Sequence, residues 1–176
     1  MSISVFSASR SGFAAMALVL ALPLSLGAAS AAAEALESQF SYLIVETDAE
    51  GAEQLVARTS VKPGETIHYQ LQHTNTTEDA MSGLVIAAPV PQGVTISLGS
   101  ETTSVPAVFE VQAELDPENE GLEWSPLPAT RVVIEADGTT REEPLPEADI
   151  AAVRWSYSEP LDPGAVGLNA YRVRVN

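Results

Sequence analysis

Few residues in this chain could do chemistry. It has no cysteine, two histidines and 24 acidic residues, so a metal or acid–base site would have to be built from His68, His73 and carboxylates. Five positions separate the histidines, and the residues between them alternate as a strand does. An odd offset along one strand sends two side chains to opposite faces. The pair therefore cannot share a metal or a proton. His68 falls on the polar face and reads as a solvated strand residue. His73 has the parity of Leu71 and reads as a cap on the rim of the core. No Gly-X-Ser-X-Gly elbow is present, and no motif selects a carboxylate pair for glycoside hydrolysis. The expectation is a non-enzymatic chain without a cofactor.

Three smaller signals concern binding. Asp116, Glu118 and Glu120 alternate ahead of Gly121 like the front half of a calcium loop. The twelfth loop position, where a bidentate acid belongs, is Leu127, so these are weak calcium candidates that read better as a solvated acidic loop. Asn75-Thr76-Thr77 has the form of a glycosylation sequon but reads as a polar turn. Arg154, Arg172 and Arg174 fall on the last two strand-like segments. If those segments pair as a hairpin, parity turns all three to one solvated face. There they form either ordinary ion pairs or a docking patch for an acidic partner or polysaccharide.

Charge narrows the partners. The formal charge is −16, with Lys62 the single lysine, and such a chain repels nucleic acid and anionic lipid. The first residues carry an address. Arg10 precedes an apolar run from Gly12 to Gly27, and small residues follow from Ala28 to Ala33. That is the layout of a secretory signal peptide, with cleavage expected after Ala33 or, second, after Ala31. The run is shorter than the ~18–20 residues of a spanning helix, so no membrane span is expected in the mature chain. A cysteine-free exported chain fits a bacterial periplasm or cell surface. Residues 34–176 are long enough for one domain.

The elements that position these residues read as strands. Pro63-Gly64 launches Thr66 to Gln72, where Ile67, Tyr69 and Leu71 face one way and His68, Gln70 and Gln72 the other. Phe40–Thr47 and Gln54–Arg58 read as a hairpin around Asp48–Gly51. Leu84–Ala88 reads as a buried strand, followed by Val94–Leu98 and Val108–Gln112. Arg131–Glu135 turns at Asp137-Gly138, and Glu142–Asp149 reads as a Pro- and acid-rich connector. Ile150–Tyr157 turns Val153, Trp155 and Tyr157 inward, and Tyr171–Val175 closes the chain. Eight or nine short strands without a helical period predict an all-β antiparallel sandwich. Its core should hold Tyr69, Trp155 and Tyr171 with Ile67, Leu71, Ile86, Val153 and Val173.

The order of these motifs resembles the DUF11 domains, repeat modules of bacterial and archaeal secreted and surface proteins. The resemblance runs through Pro63-Gly64-Glu65, His73-Thr74-Asn75, Leu84-Val85-Ile86 and Pro91-Gln92-Gly93-Val94-Thr95. It continues in Val153-Arg154-Trp155, Asp162-Pro163-Gly164 and Tyr171-Arg172-Val173. It implies an immunoglobulin-like scaffold of the cell envelope with no catalytic residues. Family members often stand in tandem arrays, whereas this chain holds one copy, which weakens a stalk or spacer role. Three functions stay open: an envelope interaction module with an unknown protein or envelope partner; a subunit that polymerises by strand addition, inserting Glu34 to Thr47 into a neighbour's sheet edge; and a weak calcium- or glycan-binding domain.

Overall fold

The computed structural model describes residues 35–176; the expected signal peptide lies outside them. Among the described residues eleven strands form, all pairing antiparallel. They are β1 (Leu36–Thr47), β2 (Glu53–Val56), β3 (Thr66–Asn75), β4 (Val85–Pro89), β5 (Val94–Thr103), β6 (Ala107–Ala113), β7 (Glu123–Pro126), β8 (Thr130–Ile134), β9 (Thr140–Pro144), β10 (Ala152–Tyr157) and β11 (Val166–Val175). A five-stranded sheet runs β2-β1-β3-β11-β5 and a four-stranded sheet β4-β10-β6-β7, while β8 and β9 make a separate hairpin. The fold is the expected all-β sandwich. Among the described residues, no helix is long and apolar enough to cross a membrane.

Alternation builds the core. On β3 and β11, Ile67, Leu71, Tyr171 and Val173 point inward; on β4 and β10, Ile86, Val153 and Trp155 meet them from the other sheet. Trp155 packs against Phe109 at 5.3 Å and Tyr171 at 6.1 Å between ring centres, joining the layers. Tyr69 lies at the margin of this core, half-buried against Tyr171. The Pro63-Gly64 turn needs a positive φ, which Gly64 supplies at +86°. Its N–H donates to Val175 O, tying the turn to the last strand.

Several boundaries differ from expectation. β1 starts at Leu36, because the polar Glu37–Gln39 still pair with β3. β4 is covered on one face only: Ile86 and Ala88 are buried, but Val85 is 54% exposed. β5 runs ten residues through an irregularity around Gly99, where the register with β11 shifts. β7 was hidden by its shortness and by Pro126. β9 starts before the expected connector and runs into it; its polar residues form a strand through cross-strand partners such as Arg131 opposite Glu143. β11 begins at Val166, five residues before the expected Tyr171.

The largest correction concerns the last two strands. β10 pairs with β4 and β6, whereas β11 pairs with β3 and β5. They lie in opposite sheets, not in a hairpin. The Ser158–Ala165 link crosses between the layers, so that Trp155 and Tyr171 can face each other.

Candidate functional site

This topology separates the three arginines. Arg154 sits on the outer face of the four-stranded sheet, Arg172 and Arg174 on that of the five-stranded sheet. They do not form one patch. Arg172 stands opposite His68 in register and reaches Glu53 at 2.8 Å. Arg174 is exposed at the end of β11.

Arg154 is held more firmly. Its Nε and Nη2 donate to the two carboxylate oxygens of Glu110, directly opposite on β6, at 2.7 and 2.9 Å. Such a fork is the strong geometry for a guanidinium. The Arg154 hydrogen bonds hold the Glu110 carboxyl below its usual range. The ring of Trp124 on β7 covers the guanidinium at 4.4 Å, a cation–π contact.

The registers lay out the rest of this face. Val85, Ser156 and Val108 make one row across β4, β10 and β6. Ala87, Arg154, Glu110 and Pro126 make the next, and Pro89, Ala152, Gln112 and Trp124 the third. Val85 and Val108 are each more than half exposed. The only charges in the grid, Arg154 and Glu110, cancel. Sequence reading missed Trp124 and Glu110. The inward parity of Phe109 and Val111 already placed Glu110 outward, but nothing marked Trp124 as its neighbour.

The histidines behave as their spacing implies. His73 is buried beside β1, its Nδ1 2.8 Å from Ser38 Oγ, and burial lowers its pKa. His68 is half-buried on the other face, and its pKa is lowered by burial and then by Arg172. Asn75 is a structural residue. Fully buried, it donates from Nδ2 to Asp79 O and Leu161 O, while Oδ1 accepts from the N–H and hydroxyl of Thr77. A glycan on that nitrogen would break the knot that closes the 76–79 turn. Asn169, also fully buried, donates to the Tyr157 hydroxyl at 2.7 Å.

In the acidic loop, Asp116 turns its carboxylate onto the Glu118 N–H and the Asn119 amide, and Glu123 accepts from the same amide. Glu118 and Glu120 are exposed. Among the described residues, no three His, Asp or Glu side chains converge to hold a metal. A cleft of about 620 Å³ lies as an open groove between this loop and β8, lined by Leu122, Val132, Ile134 and Arg131.

Comparison with protein families, curated proteins and solved structures finds no match to this chain.

Proposed function

We propose that the chain is an exported, non-enzymatic interaction module of the bacterial cell envelope that docks a protein through the outer face of its four-stranded sheet. The observation that carries this reading is the composition of that face. In a chain with a formal charge of −16, it is electrically neutral and partly apolar, with Trp124 of the edge strand β7 stacked on the paired Arg154. Interface cores are depleted in unpaired charge and enriched in aromatics and arginine, and Trp and Arg supply most hot spots. The signal-like N-terminal layout and the resemblance to DUF11 modules support export and the envelope.

Photo-crosslinking in cells tests the assignment, with the crosslinker at Val108 and, as a control, at Gln70 on the opposite sheet. The expected result is a discrete protein adduct from Val108 in the envelope fraction, lost in the Trp124→Ala variant. Adducts of equal yield from both positions, or none from Val108, would overturn the docking face. Recovery of the protein in the cytoplasm with residues 1–33 still attached would overturn export.

A further inference from the structure

We infer that two copies of this chain associate through the open edge of β1, pairing it antiparallel with itself about a two-fold axis at Gln39. The surface is distinct from the outer face of the four-stranded sheet, so the inference stands whether or not that face docks a protein.

The inference starts from backbone direction. β1 pairs with β3 from Leu36 to Val45 but with β2 only from Ile44 to Thr47. Thr76 N donates to Ala35 O, and Asp48 N to Ala52 O. In an antiparallel ladder, bonded residues alternate sides, so odd-numbered β1 residues bond β3 and even-numbered ones face β2. Beyond the reach of β2, the N–H and C=O of Leu36, Ser38, Phe40 and Tyr42 therefore point to an edge that no described strand covers. The strand-addition expectation is refined accordingly. β1 is already committed to β3 along its length, so what it offers a neighbour is its other edge.

A second copy fits that edge. With the axis at Gln39, Leu36 lies opposite Tyr42 of the other copy, and Ser38 opposite Phe40. Every open backbone group then finds a partner, and the pairing stops short of Ile44, whose outward groups already belong to β2. Glu37 falls opposite Ser41 and not opposite itself, so like charges do not meet. Phe40 and Tyr42, 60% and 39% exposed in the single chain, come together on the inner face, with the two Phe40 rings diagonal across the axis.

The edge strands of the two main sheets are guarded and this one is not. β2 and β7 are four residues long, β4 and β7 end in prolines, and β5 is irregular and capped where Glu147 accepts the Leu98 N–H at 2.8 Å. Short strands, prolines and bulges are the usual protections against edge pairing. Residues 36–43 have none of them and a single charge, in a chain that is otherwise strongly acidic.

The test uses the protein purified after expression of the full-length chain. Light scattering across the micromolar range should give a dimer mass, favoured by added salt because the copies repel each other at long range. Gln39→Cys supplies the only thiol, and the two should lie about 4.5 Å apart at their Cα atoms in a non-hydrogen-bonded pair, within disulfide reach. It should give a covalent dimer under mild oxidation. Ser41→Cys should not, because its copies are four residues out of register. Phe40→Pro removes an outward N–H without touching a β3 bond, and should give a folded monomer by melting and mass. A monomer at every concentration, or equal crosslinking by both cysteine variants, would overturn the inference. So would a Phe40→Pro variant that melts cooperatively yet keeps the dimer mass.

Discussion

Trp155 is 1% exposed, packs beside Phe109 in its own sheet and joins the two sheets by touching Tyr171. Its neighbours Val153, Val111 and Val173 are completely buried and branched at Cβ, so they have little freedom to collapse into a hole. Trp155→Ala should therefore cost roughly 3–5 kcal/mol, a large share of the stability of a small domain. Urea unfolding followed by circular dichroism measures this. A midpoint close to wild type would mean that Trp155 is not the contact between the layers. Such core residues were the most legible part of the sequence. Inward parity on Ile67–Leu71, Val153–Tyr157 and Tyr171–Val175 identified Trp155, Tyr171 and their aliphatic partners, and misjudged how deep Tyr69 lies. Periodicity reports which face a side chain takes, not how far the opposing sheet extends over it.

Strands alone do not reveal which sheet they enter, and this is where sequence reading failed. Arg154, Arg172 and Arg174 all carry outward parity, and all three do face out. Their separation comes from the Ser158–Ala165 crossover, whose Asp162-Pro163-Gly164 turn looks the same whether the chain folds back or changes layers. β7 and β9 were missed for a related reason: Glu123–Pro126 and Thr140–Pro144 are held by their partners across the ladder rather than by an apolar pattern. The split gives the three arginines different mutational behaviour. Arg154→Glu sets a second carboxylate against the partly buried Glu110 and removes the cation under Trp124, so it should lower the melting temperature. Arg172 is half-buried but its ion-pair partner Glu53 is largely exposed, so Arg172→Glu should cost no more than ~1 kcal/mol. Arg174 is exposed, and Arg174→Glu should stay within ~0.5 kcal/mol of wild type. Thermal melts of the three single variants check this ordering. Equal losses at all three positions would contradict the Arg154–Glu110–Trp124 arrangement.

At the scale of the whole molecule, charge and burial pull stability in different directions as pH changes. A formal charge of −16 destabilises the compact state through self-repulsion at neutral pH, an effect that acid relieves as carboxylates take up protons. The histidines act first and with the opposite sign. Burial lowers the pKa of both His68 and His73 below the ordinary 6.5. The unfolded chain thus takes up protons at a higher pH than the folded one, and stability is lost as pH falls from about 6.5 toward the folded values. The ion-paired carboxylates act later. Glu65, Glu110 and Glu143 are held below their ordinary 4.5 chiefly by hydrogen bonds from Arg58, Arg154 and Arg131. Their contribution is present above about 4.5 and is lost below it. The melting temperature should accordingly fall in two steps, one below about pH 6.5 and one below about pH 4.5. Replacing both histidines by glutamine should remove the first step, which the buried imidazoles produce, and leave the second, which the ion-paired carboxylates produce. A wild-type melting temperature that holds steady or rises between about pH 7 and pH 5 would show self-repulsion outweighing the buried imidazoles. In that case the −16 charge, rather than the rim of the core at His73, would set the acid response of this sandwich.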